Sequence, residues 1–228
     1  MIRVTENFRK IHDLLAKAAV EANRQPESVH LLAASKTQSA ETVLEAASAG
    51  QRDFGENFAK EGIDKMAATG RDDLIWHFIG HIQSNKTRLI ANHFAWVHTV
   101  DRLKIAERLS KQRPFYADAL NVCIEVNIDH EEGKSGVAAT ETLQLAQAIE
   151  QLPRLRLRGL MCIPEHREDP ELQHEPFARL RKLAEDLAAA GIDTDTLSMG
   201  MTGDFVPAIH EGATIVRIGT ALFGPRRT

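Results

Sequence analysis

Eight short β-rich runs recur along this chain with helix-like stretches between most of them, and that alternation restricts the fold more than any other feature. The runs are residues 29–35, 53–57, 75–80, 96–100, 121–128, 157–163, 196–201 and 214–220. Their starts lie roughly 26 residues apart, the length of one strand–helix unit. Val122-Cys123-Ile124-Glu125-Val126 and Ile215-Val216-Arg217-Ile218 are mostly β-branched and apolar, the pattern of strands covered on both faces. Eight units predict one α/β domain over residues 1–228: a single (β/α)8 TIM-like barrel, a fold that typically takes about 250 residues. An open doubly wound sheet is the alternative. No internal repeat, linker or low-complexity tract divides the chain.

The stretches between the runs carry helical signals. Phe8, Ile11, Leu15 and Ala18 give an opening helix one apolar face, and Thr5 can cap its start. This N-terminal helix is extra, since a barrel begins with a strand. Residues 137–151 repeat the pattern with Leu143, Ala146 and Ile149, and Pro153 ends it. Pro176 suits the first turn of the next long helix, with Gly191 just past its end. A short helix over 202–211 carries Pro207 in its middle.

Composition narrows the partners. With 28 basic and 32 acidic residues the net charge is −4, which argues against nucleic acid as the main partner. No apolar run is long enough to span a membrane. The start turns polar at once and lacks a signal core. Two cysteines, Cys123 and Cys162, make no disulfide framework, so a reducing cytoplasm is the simplest location.

In a barrel, chemistry sits at the carboxyl ends of the strands. The first run ends in Lys36, whose stem would cross the barrel mouth. Partial desolvation there favours a neutral, nucleophilic amine and points to a Schiff base with a carbonyl compound; the plainer alternative is a lysine reaching water or pairing with a carboxylate. The seventh run leads into Ser198-Met199-Gly200-Met201-Thr202-Gly203-Asp204, where a helix start offers backbone N–H groups and Ser198 and Thr202 offer hydroxyls to an anion. An ordinary turn capped by Asp204 or Thr202 would look the same. Gly219 and Thr220 end the eighth run, and the loops after strands seven and eight are the recurrent phosphate site of barrel enzymes. Arg217, inside an apolar strand, needs a partner, for which Glu125 is a plain structural candidate. A Schiff-base lysine facing a phosphate cradle describes a site for pyridoxal 5′-phosphate (PLP), which carries both an aldehyde and a phosphate.

Taken together, several segments make the chain resemble the pyridoxal phosphate homeostasis proteins over nearly its whole length. They are Ala33-Ala34-Ser35-Lys36-Thr37, Phe54-Gly55-Glu56-Asn57, the stretch from Trp76 to Lys86, Lys134-Ser135-Gly136, Arg158-Gly159-Leu160-Met161, Leu197-Ser198-Met199-Gly200-Met201 and the stretch from Val216 to Gly224. The resemblance implies a barrel like the N-terminal domain of alanine racemase. It implies PLP held as an aldimine on Lys36, and Ser198, Gly200 and Thr202 with Gly219 and Thr220 around the phosphate. Arg217 would face the pyridine nitrogen, and Asn57 and Met161 would lie near the ring. Thr202-Gly203 departs from the serine and acidic residue frequent in relatives. The family is regarded as a binder and supplier of PLP in vitamin B6 and amino-acid balance, without turnover. PLP-dependent client enzymes are its implied partners, and a monomer is expected. A racemase needs a base on each face of the cofactor, and a chain ending four residues after Gly224 leaves no room for a second domain to supply one. A PLP-dependent racemase and a cofactor-free lysine aldolase stay as alternatives.

The remaining signals read as structural. His77 and His81 could share a strand face, but a metal site lacks further ligands, and polar residues near the mouth are the preferred reading. Cys123 and Cys162 read as packing groups, and Tyr116 as no second base. Lys134, in the loop after the fifth strand, is a second acceptor for the aldehyde or, preferably, a solvated lysine. The pair Arg226-Arg227 is too short to imply nucleic acid, and no P-loop or dinucleotide fingerprint occurs.

Overall fold

A computed structural model describes residues 4–224. All eight predicted runs become strands: β1 (His30–Ala34), β2 (Asp53–Glu56), β3 (Ile75–Phe78), β4 (Trp96–Val100), β5 (Leu120–Asn127), β7 (Leu155–Met161), β8 (Thr196–Ser198) and β9 (Ile215–Ile218). A further two-residue strand, β6 (Val137–Ala138), pairs with the end of β5. Every pairing is parallel. β1 lies between β2 and β9, and β4 pairs with β5, so the ring closes; the open-sheet alternative is excluded. Closure leaves the eight barrel strands without a free edge, and the helices cover the outer face with a continuous apolar layer.

The opening helix α1 (Val4–Glu21) buries Phe8, Ile11, Leu15 and Ala18 against its neighbours, as the spacing predicts. Thr5 is its second residue rather than its cap. It packs on α2 (Ala40–Ser48), α8 (Phe205–His210) and α9 (Thr220–Phe223), so the extra helix braces the outside of the β1–β9 side. The other helices are α3 (Ala59–Thr69), α4 (Thr87–His93), α5 (Leu103–Gln112), α6 (Thr142–Glu150) and α7 (Pro170–Ala189).

Three helical expectations need correction. The stretch 137–151 begins with β6 and a 3-10 turn, and α6 follows; Leu145 faces the core and Leu143 is exposed. Gly136 is the cause: its φ of +112° redirects the chain, and a Cβ there would stand 2.5 Å from the Asn127 nitrogen. The long helix starts at Pro170, with the Asp169 carboxylate accepting from the Glu171 N–H at 3.0 Å, and Pro176 lies inside it. Asp169-Pro170 is the same cap-and-proline signal six residues earlier. The helix over 202–211 shrinks to α8, with Pro207 inside. Arg226 and Arg227 lie outside the described residues.

Candidate functional site

The carboxyl ends of β1, β2, β3, β7, β8 and β9 surround a cavity of about 280 Å³ at the barrel mouth. That is near the small end of the range for ligand pockets. Lys36 and Thr37 border it on the β1 side, Asn57 at the end of β2, and Thr202, Arg217, Gly219 and Thr220 on the β8–β9 side. Six of the nine residues singled out from the sequence therefore share one cavity.

The other three stand behind its wall. Ser198, Gly200 and Met161 are buried and do not border it. Ser198 Oγ is engaged inward by His98 and by Arg217. Gly200 has φ +90°, and a Cβ there would meet the Ala208 Cβ at 2.7 Å, so only glycine lets the chain pass between β8 and α8. Its carbonyl accepts from the Arg217 N–H at 2.9 Å, which joins the turn after β8 to β9.

Lys36 follows β1 in a segment tied down on both sides. Ser35 Oγ donates to Glu56 Oε1 at 2.6 Å, and the Thr37 N–H donates to Glu61 Oε1 at 2.6 Å. Lys65 from α3 links these anchors, donating to the Ser35 carbonyl, Glu56 and Glu61 at 2.7, 2.8 and 2.7 Å. Thr37 takes the left-handed conformation, φ 65°, which is strained for a β-branched residue. Burial pushes the Glu56 carboxyl up, against the pull of Lys65 and Ser35.

Arg217 is buried in β9, the strand that pairs with β1. No carboxylate lies within ion-pair distance of it among the described residues, so the suggested pair with Glu125 does not form. Its guanidinium donates to the carbonyls of Ser198 and Cys162 and to Ser198 Oγ at 2.7, 2.9 and 2.9 Å. Burial pushes Glu125 up to about 7, with Asp101 adding to the rise and Arg217 opposing it.

The anion side is a turn already partly closed. Asp204 stands at the N-cap position of α8 but makes no side-chain cap there; its carboxylate instead accepts from the Met201 N–H, three residues back, at 2.6 Å. Burial raises this carboxyl. Thr202, Gly203, Gly219 and Thr220 remain facing the cavity, at helix starts where the first N–H groups have no partner within the helix. Asn57 Oδ1 is buried without a protein hydrogen-bond partner. An amine, a guanidinium, N–H-rich turns and an orphaned amide oxygen around one cavity suit an anionic ligand with an electrophilic carbon.

The lesser signals fall elsewhere. His77 is not near the mouth: it lies in the amino-terminal half of the barrel, bonded to Asp53 and His98. His81, by contrast, follows the carboxyl end of β3 on the mouth side, exposed and bonded to Ser135 of the loop after β5. No metal-ligating group of three or more occurs among the described residues. Cys123 and Cys162 are buried, each thiol pushed up to about 12 by burial, which fits packing groups. Tyr116 is 80% exposed in the α5–β5 connection, on the opposite end of the barrel. Lys134 pairs with Glu131 on the surface. No helix among the described residues is long and apolar enough to cross a membrane. Sequence reasoning missed Glu56, Glu61, Lys65, Asp53 and His98; only the buried position of Glu56 in a β-run could have signalled the first of them.

The family model for the alanine racemase N-terminal domain matches residues 6–227. The pyridoxal phosphate homeostasis protein of Pseudomonas aeruginosa is 55% identical over 226 residues, covering 99% of this chain and 97% of that protein. The protein of the same description from Escherichia coli K12 is 48% identical, covering 98% and 97%. The solved structure of PipY from Synechococcus elongatus PCC7942 with PLP bound is 36% identical, covers 92% of this chain and all of that one, and superposes with a TM-score of 0.81.

Proposed function

Since the chain belongs to the pyridoxal phosphate homeostasis proteins, built on the alanine racemase N-terminal domain, we propose that it holds PLP in the mouth cavity and serves intracellular PLP homeostasis without catalytic turnover. The observation that carries this reading is that Lys36, after β1, and the turns after the neighbouring strands β9 and β8 border one cavity. Bound PLP supplies an aldehyde that an amine can capture and a ring that can accept electrons. Lys36 is the amine, held in place by the Ser35 and Thr37 anchors. Thr202, Gly219 and Thr220 bind the phosphate through N–H and hydroxyl groups. Ser198, Gly200 and Met161 shape the wall behind them. Arg217 is assigned to the ring nitrogen, where a guanidinium that does not release its proton disfavours protonation of the ring and weakens it as an electron sink. Asn57 orients the ligand from β2.

The cavity walls also support the absence of turnover. Among the described lining residues, Lys36 and Arg217 are the only ionisable ones; no tyrosine, histidine or second lysine is present. Racemisation needs a proton donor and acceptor on both faces. An open cavity of this kind suits exchange of cofactor with PLP-dependent client enzymes, and we assign the protein to the cytoplasm as a monomer.

The test is the absorption spectrum of the purified protein with and without PLP. We expect a visible band that borohydride fixes and that Lys36→Ala abolishes. No band in wild type would overturn the PLP reading, and racemisation of free alanine at ordinary enzyme rates would replace homeostasis with catalysis.

A further inference from the structure

Barrel interiors are normally filled by layers of branched apolar side chains. Here a line of polar groups crosses the interior instead, from the first residue of β2 to the cavity. His77 Nε2 is 3.0 Å from Asp53 Oδ1, and His77 Nδ1 is 2.9 Å from His98 Nε2. His98 Nδ1 is 2.8 Å from Ser198 Oγ, which is 2.9 Å from Arg217 Nη1. The five residues come from β2, β3, β4, β8 and β9. None of the imidazole contacts belongs to the lysine clamp or to the ligand-facing turns.

We propose that Asp53, His77, His98 and Ser198 form a one-directional chain of hydrogen-bond donors that positions the Arg217 guanidinium at the cavity. The last link, from Arg217 to the cofactor, rests on the PLP reading above. The direction follows from the two ends. A guanidinium only donates, so Ser198 Oγ accepts from Arg217 and gives its own hydrogen to His98 Nδ1. His98 then carries its hydrogen on Nε2 and donates to His77 Nδ1. His77 likewise carries its hydrogen on Nε2 and donates to Asp53. A carboxylate only accepts, so the far end demands the same order. One tautomer of each ring satisfies every link.

Protonating either ring would break this order. A charged His77 would set an N–H at Nδ1 against the N–H at His98 Nε2; a charged His98 would set one against the Ser198 hydroxyl hydrogen. Burial lowers both imidazoles, and the nearby Arg217 charge lowers His98 further, in accord with two neutral rings. His77 also stacks on Trp96 at 5.3 Å and 8°, which restrains its rotation. The chain explains how Arg217 can keep its charge in the interior without an adjacent carboxylate: aligned donors bring it an acceptor polarised by Asp53.

The chain is tested in PLP-treated wild type and Asp53→Ala. Asp53 lies at the amino-terminal rim with its side chain 33% exposed, so the substitution spares the core. Ring nitrogen NMR on histidine-labelled wild type should show His77 and His98 neutral with the hydrogen on Nε2. Asp53→Ala should lose that fixed assignment at His77, shift the absorption maximum of the bound cofactor and weaken PLP binding about tenfold, as loss of an outer support does in ligand sites. A purely structural part for Asp53 would lower thermal stability and leave the band where it is. An Nδ1-protonated ring or an imidazolium at neutral pH in wild type would overturn the chain whether or not PLP binds. A fixed tautomer together with an unmoved band would overturn the positioning of Arg217 while the PLP reading stood. Wild type without any band would sink that reading instead, and the tautomers would still decide the chain.

Discussion

The two flanks of the cavity are held in different ways. On the lysine flank, Lys65, Glu56 and Glu61 form a charged cluster between the barrel and α3 that grips the residues on either side of Lys36. On the arginine flank, Arg217 is fastened to two carbonyls and to a hydroxyl continued by two imidazoles. The first device is short and ionic, so losing one member strands a buried charge. The second runs through two imidazoles and a hydroxyl between the Asp53 carboxylate at the rim and the Arg217 guanidinium, so losing one of these middle members strands only a hydrogen-bond partner. The amine, which under the proposed function has to meet an incoming aldehyde, gets a clamp on its loop. The guanidinium, which only has to stay still, is held from within.

The largest effect should therefore come from the ionic flank. Lys65→Met leaves Glu56 buried, with one oxygen already lacking a partner, and should cost about 3–5 kcal/mol in urea unfolding. It should also loosen the Lys36 segment and slow formation of the borohydride-fixable band. A loss no larger than that of a neutral deletion on the other flank would erase the distinction.

That contrast between the flanks also marks what the sequence made legible. The strands and the residues at their ends were readable because mostly continuous β-branched apolar runs and small residues at a strand end are local signals, as at Val216-Arg217-Ile218-Gly219-Thr220. Lys36 was readable for the same reason. The clamp was not, since Lys65 looks like any helix lysine until α3 sets it beside Glu56. Nor was the interior chain: His98 and Ser198 meet across a separation of 100 residues. His77 was placed wrongly at the mouth because strand alternation says which face a side chain takes, not which end of the barrel it reaches. The direct contact expected of Ser198 fails for a related reason, as its hydroxyl is claimed by partners the local motif does not contain.

The next prediction probes whether Arg217 relies on a carboxylate beside it. Glu125 shares the interior with Arg217, and an ion pair between them would lower its carboxyl; burial instead raises it from 4.5 to about 7. A folded-state value above the unfolded one means the native protein binds more protons between those two values. Stability from this group is thus complete below pH 4.5, falls as pH rises through about 7, and is flat beyond. Glu125→Gln should remove that slope and stabilise the protein above pH 7 by about 3 kcal/mol, from 1.36 kcal/mol per unit. Denaturation followed from pH 5 to 8 reads it directly. Destabilisation at high pH would mean that Arg217 does depend on a carboxylate beside it, and the two flanks would be alike.

The smallest effect should come from the hydroxyl in the middle of the neutral chain. Ser198→Ala changes volume little at a fully buried site and leaves His98 Nδ1 and one Arg217 N–H short of a partner. Arg217 keeps its bonds to the Ser198 and Cys162 carbonyls, which come from the backbone and survive the substitution. The cost should be about 1–3 kcal/mol, below that of Lys65→Met. Because the hydroxyl is the link next to Arg217, the substitution should also shift the absorption of the bound cofactor and weaken PLP binding about tenfold, as Asp53→Ala does, while the backbone anchors keep loading from being abolished. A loss of loading as complete as that of Lys36→Ala would instead show that the hydroxyl acts on the ligand itself, and the arginine flank would then be part of the binding surface rather than its support.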